Sequence, residues 1–411
     1  MSPAGSYESL SAAIRAGADS VYFGIEGLNM RSRSAANFTL ADLPRIAKTC
    51  SKHHILSYLT VNSIVYDRDL EQMRRIIDAA LSAGVSAIIA ADVAAMTYAR
   101  SVGMEVHLST QLNITNIEAL KFYAQFADVV VLARELNLEQ VKIIRDQIVR
   151  QHICGPSGKL IRIEMFCHGA LCMAVSGKCY LSLHEMNASA NRGECNQICR
   201  RSYCVKDTES DIEMEIENQY IMSPKDLKTV HFLNKILDAG VRVLKIEGRA
   251  RGAEYVKTVT ECYREAARAC CDGSYSEEKI AGWDARLEKV FNRGFWNGYY
   301  LGQRLGEWND RYGNKATEKK MYVGKVLKYF SKLGVAEFLV ETQSLSVGDK
   351  VLITGATTGA QTFTAEDIRV DLLPAGTARK GARFSMKTPE KVRPSDKLYK
   401  MITEQNDEKS F

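Results

Sequence analysis

The chain has 411 residues, of which 46% are hydrophobic and 25% charged, a composition that excludes a disordered or fibrous protein. Its 55 lysines and arginines against 49 aspartates and glutamates give a net charge of +6, which permits a polyanionic partner without requiring one. No apolar run is long enough to cross a bilayer and the first residues lack the blocks of a secretion signal, so we expect a cytoplasmic protein with no membrane association.

Short β-rich runs alternate with helical patterns from Tyr7 to Ala269, which is typical of parallel strands joined by helices. The predicted strands are Ser20–Gly24, Ile55–Val61, Ala87–Ala90, Glu105–Leu108, Asp128–Leu132, Ile161–Phe166 and Arg242–Ile246. The predicted helices are Tyr7–Ala16, Leu40–Lys52, Leu70–Ala83, Val93–Val102, Ile117–Phe126, Leu138–Val149 and Pro224–Ala239.

The helix at Tyr7 follows Ser2-Pro3-Ala4-Gly5, which indicates the exit of an eighth strand of which little is present. We therefore predict an α/β fold, a TIM-like (β/α)8 barrel with a clipped first strand. An open doubly wound sheet is the alternative, but no glycine-rich phosphate loop follows a first strand to support it.

The pattern changes after the barrel. The run Trp283–Trp308 is rich in aromatic residues and glycine, and we interpret it as a connection whose aromatic residues serve packing. From Met321 onward, alternating runs separated by glycine-containing turns predict a small all-β domain. The predicted domains are residues 1–275, the barrel with the cysteine-rich motif; residues 276–320, the connecting segment; and residues 321–404, the small β domain.

Polar residues follow the predicted strands at the face where barrels carry their active sites. Taken together around one barrel mouth, they predict an anion-binding pocket. For each residue taken alone, capping of a strand end or solvation of a loop is the alternative role. On the last strand, we expect Lys245 and Glu247 to form an ion pair near this mouth, and purely structural pairing is the competing interpretation. The candidate substrate-binding residues are Arg31, Asn62, Gln111, Arg134 and Arg249.

Seven of the 11 cysteines fall between Cys154 and Cys204, which indicates metal or redox chemistry in a reducing compartment. Thiolates with glycines beside them are the usual protein part of an iron–sulfur site. The spacing matches neither a ferredoxin nor a zinc finger, so spacing alone leaves a closed structural zinc site and a four-iron cluster both open. Cys167 or Cys204 is an alternative to one of the four ligands. The four candidate ligands are Cys172, Cys179, Cys195 and Cys199.

The candidate catalytic residues are the titratable groups of the same region. His168 is a candidate general acid–base group, although a histidine satisfied by neighbouring backbone is equally compatible with its position. A peptidase would need an activated nucleophile or an open metal site, and the sequence has neither HExxH nor GxSxG. The basic stretch Arg379–Lys400 suits contact with phosphates, with a solvated basic face as the alternative. The catalytic candidates are His168, Glu164, Lys245 and Glu247.

One segment carries a family resemblance. The residues Glu164-x-Phe166-x-x-Gly169-Ala170-Leu171-Cys172, followed by Gly177-x-Cys179-x-Leu181-Ser182, resemble the signature of the collagenase-like U32 peptidase family. The resemblance extends to SPAGSYESLSAAIRAGADSVYFG near the start, ANRGECNQICR, LKIEGRARGAEYV and NRGFWNGYYLG. Family members normally open with a further strand before the Pro-Ala-Gly that is Pro3-Ala4-Gly5 here.

The resemblance implies a chemistry as well as a fold. It implies a 4Fe–4S cluster on Cys172, Cys179, Cys195 and Cys199, and a C-terminal β-barrel domain. It also implies oxygen-independent, prephenate-dependent hydroxylation of RNA, foremost 5-hydroxyuridine formation at the wobble position of tRNA. The alternatives are collagenase-like proteolysis and 5-hydroxycytidine formation in 23S rRNA, while the ubiquinone-modifying members match less well.

The expected partners follow from that chemistry. They are tRNA or rRNA and a small dicarboxylate metabolite, with no obligate protein partner. The dicarboxylate would be held through bidentate contacts from Arg31, Arg134 and Arg249.

Overall fold

The computed structural model describes residues 1–33, 37–203, 222–310 and 313–403. Within these ranges eight parallel strands form the barrel, in the order β1 to β7 followed by β9. They are β1 (Ser2–Pro3), β2 (Ser20–Phe23), β3 (Leu56–Val61), β4 (Ala87–Ala90), β5 (Val106–Leu108), β6 (Val129–Val131), β7 (Arg162–Gly169) and β9 (Val241–Ile246).

The short first strand still closes the barrel. The Met1 amino group donates to the Leu244 carbonyl oxygen at 2.8 Å, and the Ile246 N–H donates to the Met1 carbonyl oxygen at 3.1 Å. These bonds join β9 to the start of β1, while β1 pairs with β2 through Ser2 and Pro3. The predicted TIM-like barrel with a clipped first strand is confirmed.

Helices cover the outside of the barrel, and their caps explain where several begin. Ser6, Asp92, Asn116 and Asn137 each accept a backbone N–H at a helix start, which satisfies one of the free donors of the first turn. The helices are α1 (Tyr7–Arg15), α2 (Leu43–Lys52), α3 (Leu70–Ala83), α4 (Val93–Ser101), α5 (Ile117–Ala124), α6 (Leu138–Arg150), α7 (Leu181–Met186), α8 (Leu233–Asp238), α9 (Ala253–Asp272) and α10 (Glu277–Leu287).

The predicted helix Pro224–Ala239 is wrong in its first half. There the chain forms β8 (Asp226–Lys228), which pairs antiparallel with the end of β7 and parallel with β10 (Phe295–Trp296). Asp226 is buried in this strand and faces Arg293 at 3.5 Å. Pairing between distant segments therefore decides this conformation against the local helical pattern.

The residues after the barrel form the predicted all-β region. Its main sheet is antiparallel, in the order β15-β14-β20-β11-β12-β19-β16-β17, and β13 pairs separately with β18. The boundaries at residues 275 and 320 remain predictions, and α10 lies between them. The strands are β11 (Glu318–Phe330), β12 (Val335–Val340), β13 (Leu345–Ser346), β14 (Lys350–Gly355), β15 (Gly359–Thr364), β16 (Arg369–Val370), β17 (Leu373–Pro374), β18 (Thr377–Ala378), β19 (Arg383–Lys387) and β20 (Lys397–Thr403).

The sheet region packs on the outside of the barrel. Ala12 of α1 and Ala253 of α9 form a buried apolar cluster with Leu352 and Ala360 of the sheet. Small residues on the helices let the sheet approach closely. This apolar contact lies on the outer helices and not at the barrel mouth. None of the helices in the described ranges has the length and apolar character needed to span a membrane.

Candidate active site

A cavity of about 420 Å³ lies at the carboxyl ends of the barrel strands. All four candidate metal ligands and all five candidate substrate-binding residues line it, together with Lys245 and Glu247. Glu164 and His168 are not among its lining residues. The lining candidates are Cys172, Cys179, Cys195, Cys199, Arg31, Asn62, Gln111, Arg134, Arg249, Lys245 and Glu247.

The four cysteines enter the cavity from the long connection between β7 and β8. Cys172 lies three residues after the end of β7 and Cys179 two residues before α7, whereas Cys195 and Cys199 lie in the segment after α7. Two glycines with positive φ shape these loops. At Gly177 (φ +74°) a Cβ atom would approach Gln111 Cγ to 2.8 Å, and at Gly193 (φ +88°) it would approach the Asn29 carbonyl oxygen to 2.2 Å. A side chain at either position would force the cysteine loop or the residues it contacts to shift.

Arg200 ties the two halves of the cysteine region together. Its guanidinium donates to the Leu171 carbonyl oxygen at 2.6 Å, to the Pro224 carbonyl oxygen at 2.5 Å and to Ser223 Oγ at 3.1 Å. Leu171 immediately precedes Cys172, and Arg200 immediately follows Cys199. Arg200 is therefore a positioning residue for two candidate ligands at once.

The Cys199 thiol lies within electrostatic reach of the other three candidate ligands. Burial raises the pKa of the Cys199 thiol to about 11, Arg200 opposes this shift, and Cys172, Cys195 and Cys179 add to it. Among the residues that the structure describes, no three His, Cys, Asp or Glu side chains converge closely enough to hold a single metal ion. Cys204, the alternative ligand, lies outside the described residues, and Cys167 is fully buried with its Sγ donating to the Lys245 carbonyl oxygen.

Arg31, Glu247 and Arg249 form the charged wall of the cavity. Arg31 Nη2 lies 3.1 Å from Glu247 Oε1. Burial favours the neutral form of Glu247, but Arg31, Arg134 and Arg249 outweigh it and lower the pKa of this carboxyl. Arg249 donates to Thr60 Oγ1 at 2.9 Å, and within the described ranges no carboxylate lies within 4.0 Å of its guanidinium. Burial lowers the pKa of Arg249 to about 10, because desolvation disfavours its charge.

The predicted Lys245–Glu247 ion pair is wrong. Lys245 Nζ instead lies 2.6 Å from Glu164 Oε1 on the neighbouring strand β7, and both side chains are buried. Residues two apart on a strand share a face but lie about 7 Å apart along it. Lys245 therefore pairs with Glu164 on the neighbouring strand, and Glu247 pairs with Arg31 in the loop after β2. Glu164 Oε2 is buried without a hydrogen-bond partner in the described structure.

Arg134 and the amide side chains complete the mouth. The Arg134 guanidinium stacks 3.9 Å from the centre of the Phe166 ring and donates to the Ala170 carbonyl oxygen at 3.2 Å. Asn62 Nδ2 donates to Ser109 Oγ at 3.0 Å and to Gln111 Oε1 at 3.3 Å. These amides form a connected rim, whereas Arg134 remains without a carboxylate partner among the described residues.

His168 lies outside the cavity, which corrects its assignment as an acid–base group facing substrate. Its ring is buried among Tyr255, Tyr263 and Phe295, and Nδ1 lies 3.3 Å from the Tyr263 hydroxyl. Burial, with smaller contributions from Lys228 and Arg251, lowers the pKa of His168 to about 3. The ladder between β7 and β9 shifts register between Phe166 and His168, so simple alternation along the strand does not place this side chain.

A groove of about 550 Å³ adjoins the cavity and was not predicted. It shares Cys195, Gln197 and three arginines with the cavity. Sequence reasoning missed Arg200, Arg201, Arg251 and Arg293, although the first two follow Cys199 directly. No residue of the basic stretch Arg379–Lys400 lines either space, and Glu390 within that stretch contacts Arg15 at the end of α1. The arginines of the groove are Arg33, Arg200, Arg201, Arg251 and Arg293.

Comparisons with known proteins agree on one family. The profile of the family described as Peptidase family U32 matches residues 5–310. A collagenase of Porphyromonas gingivalis is 66% identical over 400 residues, which cover 97% of each chain. The tRNA hydroxylation protein P1 of Bacillus subtilis is 31% identical over 376 residues, 90% of this chain and 86% of the relative. A 23S rRNA 5-hydroxycytidine synthase of Escherichia coli is 33% identical over 314 residues, 75% of this chain and 46% of the relative.

Proposed function

This chain belongs to peptidase family U32, and from that premise we propose that it is an iron–sulfur enzyme that hydroxylates RNA without molecular oxygen. The proposed reaction is 5-hydroxyuridine formation at the wobble position of tRNA. The observation that carries the proposal is one cavity in which four cysteines face a surplus of arginines. Thiolates suit a cluster, and arginines suit an anionic substrate.

A 4Fe–4S cluster is the proposed cofactor, held by Cys172, Cys179, Cys195 and Cys199. In a closed zinc site four sulfur atoms lie about 2.3 Å from one ion and therefore about 3.8 Å from each other. The four cysteines line one cavity, and the Cys199 thiol interacts electrostatically with the other three, which supports assigning all four to one group. When bound, the cluster supplies one-electron transfer to groups in the cavity.

The charge balance of the cavity supports an anionic co-substrate. Glu247 is the only carboxylate among its described lining residues, and Arg31 already engages it. We assign a dicarboxylate such as prephenate to Arg31, Arg134 and Arg249, which offer planar donors for bidentate contacts. Conversion of a base C5–H to C5–OH removes two electrons from the base and adds one oxygen atom. The step balances when an alcohol co-substrate R–OH supplies the hydroxyl group and leaves as R–H, reduced by the same two electrons. The adjoining arginine groove would hold phosphates of the RNA.

Two further groups have roles that the chain itself supplies. Lys245 reaches the cavity with Nζ held by Glu164, which makes it the proposed proton donor to an oxygen atom of the bound co-substrate. Glu247 is kept ionised by its arginine neighbours and would accept a hydrogen bond at Oε2, because Oε1 already faces Arg31. Neither role involves His168, which is enclosed by aromatic rings.

Proteolysis is the second candidate, because the 66% identical relative is named collagenase. A cysteine nucleophile would need a nearby base, and no histidine lines the described cavity. A metallopeptidase would need an open single-ion site, and none is present among the described residues. These observations support the RNA reaction over proteolysis.

The cofactor is tested by anaerobic purification followed by iron, sulfide and zinc analysis. We expect about four irons and four sulfides per chain in the wild type and their loss in Cys195→Ala. Cys271→Ala, at an exposed cysteine of α9, is the matched control and should keep the cluster. One zinc per chain without sulfide would contradict the cluster and would favour proteolysis as the function.

The reaction is tested by nucleoside mass spectrometry of tRNA from a strain that lacks the gene. We expect 5-hydroxyuridine to disappear and to return with the wild-type gene but not with Cys195→Ala. Gelatin hydrolysis by the cluster-loaded protein, combined with unchanged nucleosides in the deletion strain, would establish proteolysis instead.

The assignment of Arg249 predicts a defect in co-substrate binding. Arg249→Gln removes the positive charge and the paired N–H donors of the guanidinium, so the KM for the dicarboxylate should rise about 10- to 100-fold. Arg150→Gln, at the exposed end of α6, should match the wild type. An unchanged KM with a lowered kcat would show that Arg249 does not bind the co-substrate.

A further inference from the structure

An aromatic pocket of about 260 Å³ lies beside Cys172 and adjoins the central cavity. Trp296, Tyr299 and Trp308 line it, and it shares Arg134 and Cys172 with the cavity. The sequence pattern of this segment predicts packing, and Trp296 is indeed buried. Trp308, however, is 38% exposed and Tyr299 is only partly buried, so part of this aromatic surface faces an open space.

Two hydrogen-bond donors in the pocket wall have no partner in the described structure. Trp296 is 5% exposed, yet its indole Nε1–H makes no hydrogen bond, and neither does the buried Nε–H of Arg134. Buried indole N–H groups normally find an acceptor, since an unpaired buried donor costs about 1–3 kcal/mol. Both donors belong to residues that line the pocket, and acceptor atoms of a ligand would satisfy them once these side chains turn towards it, since each atom is now almost fully covered.

The size, shape and polarity of the pocket specify the ligand. Its volume lies below the roughly 300–1,000 Å³ of sites for drug-sized ligands, which suits a single ring. Tryptophan and tyrosine rings stack on planar π systems. A pyrimidine base has carbonyl acceptors on its edge for the two free donors, and Glu135 at the pocket can accept from its N–H groups. A phenylalanine side chain offers a ring but no acceptor.

We propose that the aromatic pocket, formed by Trp296, Tyr299, Trp308 and Arg134, binds one unstacked pyrimidine base of the RNA. This base neighbours the nucleotide that enters the central cavity. The inference rests on the proposed RNA substrate and adds a specificity site to it. Single-stranded loops allow such splaying, because their bases are free to leave the stack and lie on aromatic side chains.

Gly306 provides a way to fill the pocket without touching the cysteines. A Cβ atom at this position would lie 3.6 Å from the Tyr299 hydroxyl, 3.7 Å from Trp308 and 3.8 Å from Trp296, all ordinary contacts. The rest of a leucine side chain in Gly306→Leu would then occupy the space of the base. Gly376→Leu is the matched control, since Gly376 is also in a loop and has nothing within 4 Å of its added Cβ.

The experiment measures binding of an eight-nucleotide, fluorescein-labelled RNA that contains the target uridine, by fluorescence anisotropy with anaerobically purified protein. A series of the same RNA carries one abasic site at each position. For the wild type and Gly376→Leu, an abasic site next to the target should weaken binding about 5- to 100-fold, the range of one base–aromatic stack. Gly306→Leu should bind intact RNA weaker by a similar factor and lose this abasic effect.

The outcomes separate this inference from the proposed function. If Gly306→Leu binds intact RNA like the wild type, or keeps the abasic effect, the pocket does not hold a base and the inference is overturned while RNA binding stands. If wild-type protein binds none of the RNAs, the proposed function fails and the inference with it. Binding of an aromatic peptide instead of RNA, abolished in Gly306→Leu, would also overturn the nucleobase assignment.

Trp296→Phe provides an independent check should Gly306→Leu lose its iron or its helical signal. It replaces the indole by a smaller aromatic ring and removes the N–H donor, so binding of intact RNA should weaken while binding of the RNA that is abasic next to the target stays unchanged. Equal weakening for both RNAs would contradict a contact to that base.

Discussion

Lys245 and Glu164 show how one buried pair can serve both stability and chemistry. Their side chains are 5% and 1% exposed, and the 2.6 Å contact joins strands β9 and β7 below the cavity. Lys245 Nζ also lies 5.0 Å from the centre of the Tyr22 ring. Because the pair is removed from water, each charge depends on the other.

Removal of Lys245 should destabilise the barrel strongly. Lys245→Met leaves the Glu164 carboxyl buried without its partner, and we expect a loss of about 3–5 kcal/mol in the free energy of unfolding. Urea unfolding followed by circular dichroism measures it. Addition of Glu164→Gln should recover part of the loss. Lys142→Met, which breaks an exposed pair with Asp146 on α6, should cost less than about 1 kcal/mol. Equal effects at both sites would contradict the burial argument.

His168 affects stability through its neutral state. With its pKa lowered to about 3 by burial, the folded protein excludes a proton that the unfolded chain binds below about pH 6.5. The contribution of neutral His168 to the free energy of unfolding is therefore fully present above about pH 6.5 and falls as the pH drops toward 3.

Acidification should expose this effect. Between pH 7.5 and 5.5 the free energy of unfolding of the wild type should fall by about 1.4 kcal/mol because of His168. In His168→Gln this part of the pH dependence should be absent. Urea midpoints at the two pH values test it, with His53→Gln at an exposed position as control. The same pH dependence in wild type and His168→Gln would show that His168 is not held neutral.

At the scale of elements, the cysteine connection between β7 and β8 depends on contacts with other barrel loops. The Arg33 N–H donates to the Gly193 carbonyl oxygen at 3.2 Å, and Arg192 Nη1 lies 2.7 Å from Asp69 Oδ2. Short 3₁₀ turns at Ala190–Arg192 and Ile198–Arg200 carry the chain between these contacts. The loop holds its shape because the barrel supports it.

A substitution at Gly193 should separate loop shape from barrel folding. In Gly193→Ala the new Cβ would meet the Asn29 carbonyl oxygen at 2.2 Å, so the loop must shift and cluster content should fall several-fold while circular dichroism stays unchanged. Gly103→Ala has the same left-handed strain (φ +82°) with nothing within 4 Å of its Cβ. Iron analysis of both variants is the measurement, and equal iron content would refute the contact as the cause.

At the scale of the whole molecule, the barrel and the C-terminal sheet meet through small side chains. Ala12 is completely buried, and the Ser11 hydroxyl donates to the Ala356 carbonyl oxygen at 2.6 Å. The contact involves α1 and α9, on the outside of the barrel, so it lies apart from the cysteines. The sheet can therefore be disturbed without direct damage to the cavity.

Ala12→Glu should loosen the sheet from the barrel. It would bury a carboxylate against Leu352 and Ala360 and so remove the charge from water. Because detachment of the sheet returns the carboxylate to water, the substitution favours the detached state. We expect limited proteolysis between α10 and β11 to become several-fold faster, with iron content retained. Ser51→Glu, at the exposed end of α2, is the control. An unchanged cleavage rate would mean that other contacts hold the sheet, and loss of iron would mean that the two parts are coupled.

The alternation of apolar runs and helical patterns was sufficient to predict the barrel from the sequence. Five predicted helix starts match the structure, and a sixth, at Leu40, begins the 3₁₀ turn Leu40–Asp42 that leads into α2. Polar residues after strands were likewise predicted to meet at one mouth, because parallel strands place their carboxyl ends on the same face. These features depend on local periodicity, which a single sequence contains.

Other features were decided only by the tertiary structure. Lys245 pairs with Glu164 rather than Glu247, and residues 226–228 form a strand, because partners distant in the chain determine both. The register shift beside His168 removes it from the cavity, and the fold brings Trp296, Tyr299 and Trp308 to Arg134. The sequence by itself determined the barrel and the residues of its cysteine-lined mouth. Long-range packing decided which charges pair and which hydrogen-bond donors have no partner among the described residues, because these outcomes depend on distances between segments that periodicity does not encode.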